Sequence, residues 1–321
     1  PVRCATQDFG DLRWLQAADL DSEFAVVPKM DGSGETVILF LPREKERLAM
    51  LLHSIASGMA TQARLWLVGE NRGGIKSSPR HLRLRFEHAT ALDKARHCGL
   101  FEATGPGPGK PFDLDDYVTD WSINYAGQDL QLRSLPGVFA HGRLDRGTEL
   151  LLQALEPLRP QGRVLDFACG CGVIGLALLA ASPAAELTLL DSSAAAIESS
   201  RRSALANGLT ATVLPSDGLD ELQHGDRTRY DWIISNPPFH RGVASDLDIA
   251  ADFFGTAGTF LAENGRIVIV FNRHLPYFQW LQQSFDRVET LAESGEFRVV
   301  QAQQSRSRRS GRTRADAGIF R

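Results

Sequence analysis

Residues Arg163 to Gly175 read R-V-L-D-F-A-C-G-C-G-V-I-G, an apolar run, a glycine-rich turn, and a segment that continues without a breaker. Val164-Leu165-Asp166-Phe167 predicts a strand and Val173 to Ala181 a helix, so the glycines fall where strand turns into helix. Gly170, Gly172 and Gly175 satisfy G-x-G-x-x-G, in which backbone amides approach a nucleotide-like ligand. Asp191 follows about twenty residues on, where an acid accepts hydrogen bonds from both hydroxyls of a ribose. About sixty residues after the turn, Asn236-Pro237-Pro238-Phe239 closes another apolar strand, Asp231 to Ser235.

Outward from this centre, strands and helices alternate. Leu187 to Leu190 reads as a strand, and Ser192 or Ser193 caps a helix that runs to Ala206, with Asn207-Gly208 as its left-handed exit. Thr212 to Leu214 gives a third strand, followed by Ser216-Asp217-Gly218. Asp248 to Leu261 reads as a helix and Gly265 to Phe271 as a fifth strand. This alternation predicts an α/β fold with a doubly wound parallel sheet, whose ligands bind beyond the carboxyl ends of the strands.

The earlier part repeats the plan without the glycine turn. Thr36 to Pro42 reads as a buried strand, Arg43 to Gly58 as an amphipathic helix with Leu48, Leu51, Leu52 and Ile55 on one face, and Arg64 to Val68 as a strand. The expectation is two doubly wound Rossmann-like domains, the first a degenerate copy that has lost its cofactor site. Thr104 to Gly109, T-G-P-G-P-G, reads as a linker, which places the boundary between about Gly105 and Asp120. The division expected is 1-110 and 111-321, the second ending in a basic tail with Arg306, Arg308, Arg309, Arg312 and Arg314. Trp121 to Leu132 reads as a hairpin about Ala126-Gly127, and Leu135 to Phe139 as an extended segment.

The 321 residues are 43% hydrophobic and 23% charged, with a formal charge of −4, as a globular protein of two domains would be. No apolar run suits a bilayer span. Pro1 to Gly10 lack a signal-peptide pattern, and the missing Met implies sequence upstream of Pro1. Four cysteines form neither a disulfide framework nor a zinc pattern, so a reducing cytoplasm and no metal are expected. Cys169 and Cys171 read as packing residues. The net charge does not exclude RNA, because a local basic face can supply the phosphate contacts. The Arg-rich tail reads as a solvated end or a phosphate-contacting one. Oligomeric state is not legible.

The glycine turn and Asp191 suit a nicotinamide cofactor and S-adenosylmethionine alike. Asp166 tips the choice: a carboxylate there opposes a pyrophosphate but can orient a cationic methionine end. Its plainer reading is a carboxylate that caps the next turn. Asp217 is placed for an adenine amino group, or is an ordinary turn residue. In Asn236-Pro237-Pro238-Phe239 the prolines fix the backbone so that the Asn side chain and a proline carbonyl accept from one NH2 group, while Phe239 stacks its plane.

V-L-D-F-A-C-G-C-G, Asp191 and N-P-P-F-H (Asn236 to His240) resemble the class I S-adenosylmethionine-dependent methyltransferases acting on nitrogen. Val68 to Arg72 with Gly74, Cys98-Gly99-Leu100, Leu135 to Phe139 with Leu144-Asp145 and Gly147, and Arg273 to Tyr277 resemble the bacterial ribosomal RNA small subunit methyltransferase C family. The resemblance implies methylation of N2 of one guanine in 16S rRNA, within the 30S subunit, in the cytoplasm. It implies a cofactor site of Asp166, Ala168, Gly170, Gly172, Asp191, Ser192, Asp217, Gly218 and Asn236. Asn236, Pro237 and Phe239 would be catalytic, with Pro238, His240 and Arg273 toward the substrate. Ala168 stands where the motif often has Gly. Alternative readings are a 23S rRNA guanine-N2 methyltransferase, a release-factor glutamine methyltransferase, and a non-catalytic assembly factor.

Overall fold

The computed structural model describes residues 2–224, 228–237, 250 and 253–304. The chain forms two compact units: Pro1–Gln7, Asp11–Val118 and Leu135–Gly137 make the first, and Asp8–Gly10, Thr119–Ser134 and Val138–Arg321 the second.

In the first unit β1 (Arg3–Thr6) and β2 (Asp21–Phe24) pair in parallel; α1 (Phe9–Ala17), which belongs to this unit from Asp11 onward, lies between them in sequence. β3 (Thr36–Phe40), α2 (Lys45–Gly58) and β4 (Arg64–Glu70) form the expected strand–helix–strand step with parallel strands. Leu48, Leu52 and Ile55 of α2 pack with Leu65 and Leu67 of β4. Beyond them come α3 (Ser78–Leu82), β5 (Phe86–Ala95) and β6 (Cys98–Pro106), giving a mixed sheet ordered β3-β4-β6-β5. Two expectations change here. β3 is an edge strand and is not buried: Val37 and Leu39 face the core, whereas Ile38 and Phe40 are 57% and 76% exposed. The linker also starts later than Thr104. Gly105 takes φ +64, and Pro106, at the strand end, still pairs with Phe86.

The second unit opens with the expected hairpin, β7 (Thr119–Tyr125) and β8 (Gln128–Ser134). Ala126 and Gly127 both have positive φ, as a two-residue hairpin turn requires. Leu135 to Phe139 is turned, not extended, with Gly137 at φ +98. α4 (Arg146–Leu155) leads to a seven-stranded sheet. Its elements are β9 (Arg163–Phe167), α5 (Val173–Ala181), β10 (Glu186–Asp191), α6 (Ala194–Ala206), β11 (Thr212–Pro215), α7 (Asp220–His224), β12 (Tyr230–Ser235), β13 (Leu261–Asn272), α8 (Tyr277–Ser284), β14 (Arg287–Glu293) and β15 (Phe297–Gln303).

The order is β11-β10-β9-β12-β13-β15-β14. The first five strands are parallel, as expected; β15 runs antiparallel between β13 and β14. The helix expected over Asp248 to Leu261 is helical at 250 and 253–257; a 3-10 turn (Gly258–Phe260) follows, and Leu261 already belongs to β13. Residues 248, 249, 251 and 252 lie outside the described residues. Ser193, not Ser192, caps α6, and Gly208 exits it at φ +62. No helix among the described residues is long and apolar enough to cross a membrane.

Candidate active site at the carboxyl edge of the seven-stranded sheet

The parallel register brings the motifs together. Phe167 on β9 lies between Leu190 on β10 and Ser235 on β12, and the Ser235 hydroxyl donates to the Phe167 carbonyl at 2.7 Å. The next residue of each strand, Ala168, Asp191 and Asn236, therefore emerges on the same edge. Chain order reverses there, because β10 and β12 both border β9. Such switch points are where open α/β sheets hold ligands.

Asp166 is completely buried. Its Oδ2 accepts from the Gly175 amide at 2.8 Å, so it does cap the following helix, but Oδ1 has no partner. Burial pushes this carboxyl up to about 7; the Gly175 amide opposes that rise and the Asp191 charge adds to it. Asp191 accepts from the Gly170 amide through Oδ2 and from the Ser193 amide through Oδ1, each at 2.9 Å. Burial raises it to about 6 against those two bonds. The glycine turn thus hangs from Asp191, and the Ser200 hydroxyl holds the Gly170 carbonyl at 2.8 Å. Gly172 takes φ +81 at the start of α5. At Gly175 an added Cβ would lie 2.7 and 2.8 Å from the methyls of Leu189 and Leu187, so a larger residue would have to displace them where α5 packs on β10. Ala168 adopts φ +57, which accounts for the preference for glycine there.

Asn236 is buried. Its Nδ2 donates to Thr148 Oγ1 at 2.8 Å and to Asp145 Oδ2 at 3.2 Å, and Oδ1 has no partner. The two acceptors fix which way the amide faces. Asp145 is itself held as the N-cap of α4, accepting from the amides of Gly147 at 2.9 Å and Thr148 at 3.1 Å. Sequence reasoning gave Asp145 and Thr148 no role. The available signal was an N-cap Asp with Thr three residues later, next to an unusual polar start for a Leu-rich helix.

Pro237 is buried directly after Asn236. Pro238, Phe239 and His240 lie outside the described residues. Asp217 is exposed and Gly218 takes φ +57, while the Ser216 amide donates to the Asp191 carbonyl at 3.0 Å. The Ser192 carbonyl accepts from the Phe9 amide at 2.9 Å. Arg273 follows β13, but its guanidinium turns toward the β14–β15 connection, donating to the Ser294 carbonyl at 3.2 Å and standing 3.9 Å from Glu293. Cys169 and Cys171 are buried, and burial raises both thiols, Cys171 to about 12, so they pack rather than react. Among the described residues no group of three or more His, Cys, Asp or Glu could hold a metal ion.

Asp145, Asp166 and Asp191 thus line one edge, their described bonds coming from backbone amides and the Asn236 amide, which disfavours a pyrophosphate and favours a positively charged ligand. A cavity of about 600 Å³ bordered by Thr188, Thr212, Leu214, Leu222 and Tyr230 includes none of these residues.

Comparison with known proteins gives a consistent picture. The family description "Methyltransferase small domain" matches residues 129–301, and "Methyltransferase small domain N-terminal" matches residues 1–121. The chain is 39% identical over 272 residues to a ribosomal RNA small subunit methyltransferase C of Hahella chejuensis, covering 85% of this chain and 78% of that one. It is 40% identical over 296 residues to a protein of the same name from Pseudomonas aeruginosa, covering 90% and 87%. Among solved structures it resembles the T. thermophilus 16S rRNA N2 G1207 methyltransferase (RsmC) in complex with AdoMet and guanosine. That match has a TM-score of 0.84 at 26% identity, over 94% of this chain and 81% of that one.

Proposed function

This chain belongs to the ribosomal RNA small subunit methyltransferase C family, and from that premise we propose how its residues divide the work of methylating a guanine. The enzyme uses S-adenosylmethionine to methylate the exocyclic N2 of a guanine in 16S rRNA. One observation carries the assignment of roles: two buried oxygens, Asp166 Oδ1 and Asn236 Oδ1, lack partners at the ends of the adjacent strands β9 and β12. Buried polar atoms without partners are costly, and a ligand bearing N–H groups satisfies them.

These residues fit the cofactor. Asp166 Oδ1 accepts from the ammonium of its methionine end, directly or through water. Asp191 accepts from the ribose, the turn of Ala168, Gly170 and Gly172 lies against the ligand with Ser192, and Asp217 with Gly218 meets the adenine. Bound there, S-adenosylmethionine supplies an electrophilic methyl group on sulfur. Asn236 Oδ1 and the Pro237 carbonyl accept the two N2 hydrogens, which turns the nitrogen lone pair toward that methyl group. Phe239 stacks the guanine, with Pro238 and His240 on the substrate side; Arg273 would have to leave Ser294 and Glu293 to join them. No strong base is needed, because the nitrogen loses its proton after attack. Orientation supplies most of the barrier lowering. A guanine in folded rRNA must leave its stack to arrive here.

The remaining parts of the proposal are a 30S substrate, a cytoplasmic location, and a division into a degenerate domain 1-110 and a catalytic domain 111-321. Transfer of a labelled methyl group to purified 30S subunits, naked 16S rRNA, 50S subunits and release factor tests the acceptor. Label is expected on 30S subunits; label on 50S subunits or release factor alone would overturn the acceptor. Asn236→Ala is expected to lower turnover by about 10²–10³-fold while S-adenosylhomocysteine binds within a few-fold of wild type.

A further inference from the structure

Residues Asp8–Gly10 precede the sheet of the second unit by more than a hundred residues, yet they belong to that unit. The Phe9 amide donates to the Ser192 carbonyl at 2.9 Å, and Asp8 forms an isolated antiparallel bridge with Ser193. The same corner carries Asp191, whose two oxygens are bonded to the Gly170 and Ser193 amides. Gly10 approaches the other carboxylate. A Cβ built on it would stand 3.0 Å from Asp217 Oδ2, 3.1 Å from Asp217 Cγ and 3.1 Å from Asp8 Oδ1. The Gly10 amide is already committed to Asp8 Oδ1 at 2.9 Å, which fixes the local turn. A side chain at position 10 would therefore be accommodated by displacing the carboxylates of Asp217 and Asp8 by a few tenths of an ångström or more.

We infer that the segment Asp8-Phe9-Gly10 is a positioning wall of the adenosine pocket, and that Gly10 lacks a side chain so that Asp217 can hold the adenine amino group. Backbone pairing anchors the segment to Ser192-Ser193, and the bare Cα of Gly10 then sets how far the Asp217 carboxylate can swing. The inference rests on the reading of Asp217 given above. Ser192 and Asp217 were legible from spacing after their strands. The segment that braces them was not, since it pairs with residues more than 180 positions later.

The test compares S-adenosylhomocysteine with S-inosylhomocysteine, whose base carries an oxygen in place of the amino group. Calorimetry on the full chain measures both affinities for wild type, Gly10→Ala, Gly10→Val and Asp217→Ala. Wild type is expected to prefer S-adenosylhomocysteine by about tenfold or more, since a carboxylate accepts from an amino group and repels a carbonyl oxygen. Gly10→Val is expected to weaken S-adenosylhomocysteine by about tenfold and bring the preference close to one, with Gly10→Ala between the two. If Gly10→Val does not fold, Gly10→Ala carries the same comparison at smaller amplitude. Wild-type affinity and preference in the Gly10 variants would overturn the inference. So would lost affinity with the preference intact, the mark of a merely structural segment. An Asp217→Ala variant that keeps the wild-type preference would instead remove the role of Asp217 itself, which separates that failure from a failure of Gly10 to act.

Discussion

At the scale of single residues, Asp166 ties the fold to pH. It lies under the cofactor turn, and the groups that face it are Asp191 and the raised, neutral thiols of Cys169 and Cys171. A carboxyl held near 7 in the folded chain and near its ordinary value when unfolded makes the folded state bind more protons between those limits. Stability without ligand therefore falls as pH rises from about 4 to about 7, then levels. If the cofactor's ammonium meets Asp166 as proposed, its binding favours the ionised form and releases a proton across the same interval. Calorimetry in buffers of different ionisation enthalpy is expected to show proton release near pH 6 and tighter binding at pH 8. Asp166→Asn should reduce that dependence, leaving the part that Asp191, itself raised to about 6, supplies; a pH-independent wild type would refute the coupling.

At the scale of elements, the β9–α5 turn carries strain that a single atom explains. Ala168 sits at φ +57, and an L side chain there costs about 1–2 kcal/mol, of which the greater unfolded-state freedom of glycine cancels part. Ala168→Gly is expected to raise stability by about 0.5–1 kcal/mol in urea denaturation. A loss would mean that the packing of the Ala168 methyl against the core outweighs the strain. The elements differ in how far their sequence revealed them. β9 to β13 were legible because apolar runs alternate with uninterrupted helical stretches. β3 was misread as buried because Ile38 and Phe40 are apolar yet face outward on an edge strand, and composition cannot tell edge from centre. β14 and β15 were missed because Val288, Ala292, Val299 and Val300 are interleaved with charged and polar residues, and β15 pairs antiparallel with β13 and β14 at the end of a sheet that is otherwise parallel. At the site, Asp166 and Asp191 lie at the ends of recognisable strands and Asn236 directly follows one. Asp145 and Thr148 act across 91 and 88 residues, which no local pattern encodes.

At the scale of the whole molecule, the two units have separate cores. One gathers Leu52, Leu65 and Phe101; the other gathers Leu165, Ile233 and Phe254. The first unit keeps the strand–helix–strand step but has no counterpart of the glycine turn, so ligand binding should report on the second alone. Calorimetric unfolding is expected to show two transitions. S-adenosylhomocysteine at about 100 times its dissociation constant should stabilise only one of them, by about 2.7 kcal/mol. Stabilisation of both would show either a second cofactor site or units that unfold together, and titration of binding stoichiometry would tell these apart.

With both hydrogens of Asn236 Nδ2 held by Asp145 and Thr148, the side chain can only receive. A nitrogen arriving with two hydrogens can satisfy both the Asn236 oxygen and the neighbouring carbonyl. After one transfer it has a single hydrogen left, and one acceptor goes without. On the proposed binding mode the modified base is then a poorer guest than the unmodified one, and a single methyl group per guanine is the expected product.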